Sequence, residues 1–555
     1  MRQPFSTLEA AARALRSGSI SSRELVAAAH ADADLLDPLL GVYATRFTEE
    51  SYAAAQAADA LSPAERPLLH GLPLAIKDNL AAREGPVTAQ SPAHDPGWWR
   101  GEDAPAVAGL RAAGAVVLGK TTMAEYAMGR PDPAHDFPVP RNPWDPERWT
   151  GGSSTGNGAG LAAGLFLGAL GSDTSGSVRL PAALCGATGL KTTYGLLPLD
   201  GCLPLSASQD VLGPMAVTAR DCALLLVALL DATATDVAGP TPAGVPRARE
   251  AFARAEAYGL PTCRPADLAA LLAAPADAAD LHGVRIGVPY ELADGPGVTE
   301  GCRAAFHAAL DDLRQLGAET REFALPEFPG LSVVNGLTML AEAFAAHGDR
   351  LTADWTGHGR AFRRLAAAGG LVPAHRYLRA QQLRTRLTSA LRTRMSNAGI
   401  DLIATPTWPA PARPYTDEAL PGAEPNLTAA WNPTGFPALA LPMGFESGLP
   451  LSLQLVGRPW SEPALLTAGA AYQSATTWHL RRATPDPACT PSPVPDPDRA
   501  WPPARPTPGD TPQRTSGSSP DVPEAAALAA LGIAPEPPDL ATITAINQGL
   551  LSVEF

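Results

Sequence analysis

Gly151-Gly152-Ser153-Ser154-Thr155-Gly156-Asn157-Gly158-Ala159-Gly160 opens a block that closes, after a Leu-rich stretch, with Gly171-Ser172-Asp173-Thr174-Ser175-Gly176-Ser177-Val178-Arg179. Two Gly/Ser loops this close together, joined by residues able to bury, do not make a linker. Glycines here let backbone N–H groups approach a ligand without interference from a Cβ, which suits an oxyanion or phosphate site. In isolation such loops are most often plain turns, so their neighbours decide what they are for.

Outward from the block, short apolar runs recur at 72–76, 115–118, 167–170, 284–288, 402–404, 439–441 and 453–456. They have the length of buried strands. Helical patterns separate them, at 103–113, 301–316 and 373–395. Ser21-Ser22-Arg23-Glu24 has capping-box spacing ahead of a helix ending near Leu35, and 49–61 continues a helical N-terminal region. This alternation predicts the α/β class: a mixed, largely open twisted sheet covered by helices on both faces.

Composition sets the outer bounds. The chain has 555 residues, with 42 Lys plus Arg against 56 Asp plus Glu, a formal net charge of −14. That balance argues against nucleic acid as the primary partner. No uninterrupted apolar run of membrane-spanning length is evident, and Met1-Arg2-Gln3-Pro4-Phe5 leads into no apolar leader, so a cytoplasmic protein without membrane attachment is expected. Six scattered Cys (185, 202, 222, 263, 302, 489) contain no Cys-x-x-Cys pair, so neither a metal site nor a disulfide framework is expected. Residues 484–523 hold 13 prolines and read as an extended linker. The expected division is a catalytic domain over 1–483 with a variable insertion at about 232–281, the linker 484–523, and a short segment 524–555 with one potential helix at 524–531.

Two clusters compete for the chemistry. Gly114-Ala115-Val116-Val117-Leu118-Gly119-Lys120-Thr121 fits the letters of a phosphate-binding loop. Its middle is apolar and β-prone, however, whereas a phosphate loop must bend so that its N–H groups face the anion. A cap at Gly114, a strand and a turn at Gly119 is the better reading of 114–121. In Gly71-Leu72-Pro73-Leu74-Ala75-Ile76-Lys77-Asp78-Asn79, by contrast, a lysine ends an apolar strand. Burial there disfavours its charged form, and a neutral amine can act as a base. Alone, such a lysine is commonly an ordinary surface cation. No Gly-x-Ser-x-Gly elbow followed by Asp and His is present, and none of the ten His sits in a recognisable catalytic neighbourhood, so Ser/Lys chemistry fits best.

Together these residues resemble the amidase signature family over roughly 5–483. The segments 71–79, 119–126, 141–144, 151–191, 212–215, 448–450 and 454–459 follow the family's order. The resemblance implies a Ser-Ser-Lys triad: Ser177 as nucleophile forming an acyl-enzyme, Ser153, behind a cis Gly152-Ser153 bond, as proton relay, and Lys77 as base. It implies an oxyanion hole from the backbone N–H groups of Thr174, Ser175, Gly176 and Ser177. Ser154 would support Lys77 or the loop, and Asp173 with Arg179 would brace the nucleophile. The implied activity is hydrolysis of a small-molecule carboxamide to acid and ammonia or amine, with no cofactor and no metal. Thr155, Asn157, Ser175 and Thr192 depart from the residues usual in the family, and a Cβ at 175 raises the question of crowding in the oxyanion loop.

Within that family a free amidase is the expected form, on the strength of 342–387 and 431–438. The alternative is the glutaminase component, or A-subunit, of a tRNA-dependent amidotransferase, with a remote third reading as a phosphate-loop nucleotide hydrolase at 114–121. A non-catalytic scaffold would predict loss of Lys77 or Ser177, and both are present. The tail leaves room for a small accessory subunit, or for a homo-oligomer.

Overall fold

The computed structural model of the protein describes residues 4–234, 263–275, 280–416, 426–494 and 523–551. Among the described residues, eleven strands form one sheet: β1 (Tyr43–Arg46), β2 (Pro73–Lys77), β3 (Val116–Thr121), β4 (Gly168–Asp173), β5 (Thr188–Lys191), β6 (Val211–Ala216), β7 (Arg285–Val288), β8 (Glu319–Glu322), β9 (Leu402–Pro406), β10 (Ala438–Glu446) and β11 (Leu449–Gly457). Their order across the sheet is β1-β3-β2-β4-β6-β5-β10-β11-β9-β7-β8. β2 runs parallel to both β3 and β4, β7 runs parallel to β8 and β9, and the remaining pairs are antiparallel. The mixed α/β sheet is the expected one, and β2, β3 and β4 are buried from end to end.

Each apolar run becomes a strand: β7 falls within its run, β2 is shifted by one residue, and the other five reach a few residues further. The strands not anticipated are those without an apolar run. β8 reads Glu-Thr-Arg-Glu, β1 alternates only weakly, and β5 and β6 carry Gly or Pro where a side chain would mark the pattern. At the N-terminus, helix Ser22–Leu40 starts on the capping box read from sequence: Ser21 Oγ accepts from Glu24 N at 3.2 Å, and Ser21 N donates to Glu24 Oε2 at 2.8 Å. One expected detail is corrected. No turn forms at Gly119, because β3 runs through Gly119 to Thr121. Lys120 is buried beside Asp78 at 3.2 Å and donates to Pro86 O at 2.7 Å, so this lysine serves the sheet, and 114–121 forms no phosphate loop.

Seven helices frame the site and the terminal segment: α1 (Thr155–Ala163), α2 (Arg179–Cys185), α3 (Phe328–Ala353), α4 (Arg360–Gly370), α5 (Ala374–Asn397), α6 (Pro523–Ala530) and α7 (Pro537–Leu551). α3 has 26 residues and an 18-residue window of mean hydropathy 1.2, long and apolar enough to span a membrane by length and composition alone. It packs instead against α4 and α5, with Leu331, Val334, Leu337 and Ala343 buried.

Of the expected insertion at 232–281, residues 235–262 and 276–279 lie outside the described residues, as do 495–522 of the expected linker. The linker's first part is tied down: Arg141 donates to Ser492 O, and Ser492 N donates to Glu147 Oε1, both at 2.7 Å. In the terminal segment, α6 falls close to the anticipated 524–531, while α7 was not anticipated. Both pack on α4. Leu528, Ile533 and Ile543 bury against Ala367 and Ala368, and Asp539 pairs with Arg363 at 2.7 Å and Arg364 at 2.6 Å.

Candidate active site

The parallel trio β3-β2-β4 ends with all three C-termini on one edge, the edge at which open α/β sheets present their ligands. Lys77 is the last residue of β2, Asp173 the last of β4, and the loop after β3 leads into the turn that holds 151–154. Thus the two Gly/Ser loops and the strand-end lysine, far apart in sequence, meet because neighbouring strands end together.

Lys77 is fully buried, and its Nζ lies 2.7 Å from Ser153 Oγ. Burial lowers its pKa from the usual lysine value to about 8, against the pull of the negative charges at Asp173 and Asp210. The Gly152-Ser153 peptide is cis. Ser153 and Ser177, 2 % and 8 % exposed, line the same cavity of about 390 Å³. The chain folds back tightly between them, since Ser154 N donates to Ser177 O at 3.1 Å. Ser154 meets the loop rather than Lys77, its Oγ approaching Ser172 O at 3.4 Å.

Ser172 is a site residue that the sequence does not mark. Its Oγ lies 2.9 Å from Lys77 Nζ and accepts from Asn79 Nδ2 at 3.0 Å, so it holds the lysine head together with Ser153. Its only sequence signal is a place among other hydroxyls in the quoted block, because its nearness to Lys77 arises from strand register.

Asp173 and Arg179 form a fully buried pair at 2.9 Å. Burial alone would push the Asp173 carboxyl up, but the Arg179 guanidinium charge and hydrogen bonds outweigh it and hold the pKa well below the usual carboxylate range. The same carboxylate accepts from Gly176 N at 2.8 Å and Val178 N at 3.1 Å. Arg179 continues to Gln454 Oε1 at 2.9 Å and Asn432 Oδ1 at 2.7 Å, locking the loop to β11 and to the segment before β10. One consequence amends the expected oxyanion hole. The Gly176 N–H is already engaged by Asp173, which leaves the amides of Thr174, Ser175 and Ser177 as the candidates. Gly176 is needed for shape: its φ is +124°, and a Cβ there would come within 2.2 Å of Thr428 Oγ1.

The departures from the family pattern find partners. Thr155 donates to Thr122 O at 3.0 Å, Asn157 Oδ1 accepts from Thr121 at 2.5 Å, and Thr192 donates to Leu212 O at 2.7 Å. Ser175 is not among the residues with positive φ, and its side chain turns toward α3 instead of crowding the loop. The facing wall of the cavity is largely apolar, with Met128, Trp149, Leu180, Met339, Leu365 and Trp408, and with Arg130 and Arg413 among its lining.

The family model described as Amidase matches residues 24–466. The chain belongs to the amidase family. It is 38% identical over 510 residues to the glutamyl-tRNA(Gln) amidotransferase A-subunit of Roseiflexus sp. (strain RS-1), covering 86% of this chain and 97% of that protein. Among solved structures, the native peptide amidase from Stenotrophomonas maltophilia superposes with a TM-score of 0.68 at 27% identity, over 87% of this chain and 98% of that one. The glutamyl-tRNA(Gln) amidotransferase A-subunit from Thermotoga maritima gives 0.63 at 26% identity, over 84% and 94%. The proteins compared with this chain therefore include both a peptide amidase and an amidotransferase subunit. Membership supports carbon–nitrogen chemistry, as a hydrolase or an amidotransferase.

Proposed function

We propose that this protein cleaves the C–N bond of a carboxamide through an acyl-enzyme on Ser177. The observation that carries the reading is the buried Lys77 amine, 2.7 Å from Ser153, at a cavity that Ser153 and Ser177 both line. Ser177 Oγ attacks the carbonyl carbon as its proton passes to Ser153 and the Ser153 proton to Lys77. The oxyanion so formed is met by the N–H groups of Thr174, Ser175 and Ser177, where one donor is typically worth about 3 kcal/mol. On collapse the C–N bond breaks, the proton returns from Lys77 through Ser153 to the leaving nitrogen, and the acyl group stays on Ser177. Water, deprotonated by the same relay, then releases the acid in the hydrolytic form. Asp173 and Arg179 hold the loop, and Ser172 holds the lysine; none of the three transfers a proton.

Two forms of this chemistry remain, and different observations favour them. The names of the curated relatives support the A-subunit of an amidotransferase over the free amidase expected from sequence. One feature of the cavity favours a free amidase acting on an apolar amide. Its described lining is largely apolar, with Met128, Trp149, Leu180, Met339, Leu365 and Trp408. The test is turnover of a panel of primary amides, glutamine included, by the purified protein alone, with Ser177→Ala as control. Turnover of apolar amides with glutamine ignored supports the free amidase. Glutamine hydrolysis, feeble until partner subunits and tRNA are added, supports the amidotransferase. Turnover that survives Ser177→Ala contradicts both.

A further inference from the structure

Ser175 stands in the oxyanion loop where the family resemblance leads one to expect glycine, and it lines the cavity. Ser175 is half-buried, and its hydroxyl has an acceptor on the cavity side. Asn335 of α3, 1 % exposed, provides it: Ser175 Oγ donates to Asn335 Oδ1 at 2.6 Å. The other end of the same amide donates to Thr174 O at 2.9 Å and to Gln209 Oε1 at 2.9 Å. These partners leave the amide one orientation, with its oxygen toward the hydroxyl and its nitrogen toward two acceptors. From the other side, Thr428 Oγ1 donates to Ser175 O at 2.6 Å, and Asn426 Nδ2 approaches Ser175 Oγ at 3.4 Å. A single planar group therefore ties two successive residues of the loop to a helix that also supplies Ser332, Gly336, Met339 and Leu340 to the substrate cavity.

We infer that Asn335 is a positioning residue, which acts through Ser175 and Thr174 to aim their backbone N–H groups at the developing oxyanion, and so links the cavity wall to the rate of acylation. The inference rests on Ser177 being the nucleophile. In place of glycine, whose backbone could adopt several orientations, this chain has a side chain held by a bond across the cavity. The loop thus depends on α3 in a way a Gly-Gly loop does not.

The test is the second-order rate at which a fluorophosphonate labels Ser177 in the full chain, a reaction that needs the oxyanion hole and no knowledge of the natural substrate. Wild type, Asn335→Ala, Ser175→Gly and the double variant are compared, with melting temperatures measured alongside. Loss of the Asn335 side chain is expected to slow labelling about tenfold or more. In the Ser175→Gly background the same loss is expected to cost markedly less, because the two residues act as one unit. With p-nitrophenyl butyrate as substrate, kcat is expected to fall while KM changes little. Should Asn335→Ala fail to fold, Asn335→Asp keeps the acceptor for Ser175, loses the donor to Thr174, and is expected to label at an intermediate rate. A lowered melting temperature with wild-type labelling overturns the inference, as does an undiminished effect of Asn335→Ala in the Ser175→Gly background. Wild type that is not labelled at Ser177 overturns the nucleophile assignment, and this inference with it, and is distinguished from the other failures by that signature.

Discussion

The loops at 151–155 and 172–179 and the helix α3 face each other across one cavity but are built differently. In the loops almost every polar group has a fixed partner: Asp173 with Arg179, Lys77 with Ser153 and Ser172, Thr174 with Asp210. They hang from the ends of parallel strands that are buried throughout. Across from them, α3 presents Met339, Leu340 and Gly336, with Asn335 as its polar link to the loop. In the proposed mechanism, groups that must sit to within a fraction of an ångström for proton transfer are placed on backbone that the sheet fixes, while the shape of the bound acyl group is left to side chains on a helix. Changes in the loops should therefore act on kcat, and changes in α3, apart from Asn335, on KM.

The sharpest break comes at the reacting groups. Ser177→Ala is expected to remove turnover by at least about 10⁴-fold with an unchanged melting temperature, and Lys77→Met to do nearly as much, measured as kcat with any amide the panel identifies. Removing one half of the buried ion pair ranks next. Arg179→Met leaves the Asp173 carboxylate buried without its cation and should cost about 3–5 kcal/mol of stability, read by chemical denaturation, with activity lost as well. The pH profile sharpens the comparison further. Lys77 has its pKa lowered to about 8 and must be neutral to accept a proton, so kcat/KM should climb with pH up to about 8, close to tenfold per unit on the acid side, and level above it. A profile flat from about pH 6 to 9 contradicts a lysine base. The smallest effect is expected on the helix: Met339→Ala should change KM for an apolar amide by about 1–3 kcal/mol equivalent and leave kcat within about twofold.

Much of this was legible in the sequence, though unevenly. Strands with a β-branched or leucine run announced themselves, as did the capping box at Ser21, because each has a local cause. β8, made of Glu, Thr and Arg, has none, being held by pairing with β7. In the site, the residues within glycine-rich motifs stand out by their spacing. Ser172 and Asn335 do not, since both gain their roles through contacts at long range, with Lys77 and with Ser175. Engagement of the Gly176 N–H by Asp173 was hidden for a similar reason: the loop's amides are equivalent in sequence, and only the fold of the loop around the carboxylate separates them. The second terminal helix, α7, has a weakly patterned sequence, and what holds it is the burial of Ile543 against α4 together with the meeting of Asp539 with Arg363 and Arg364.

Activation of Ser177 by Lys77, through Ser153, is the central claim. Its most direct test is to label the purified protein with a fluorophosphonate, digest it and locate the modified residue by peptide mass spectrometry, in wild type and in Lys77→Met. A single adduct is predicted on the peptide containing Ser177, lost or slowed by orders of magnitude in the lysine variant. An adduct on Ser153 or on another serine, or equal labelling without Lys77, contradicts it.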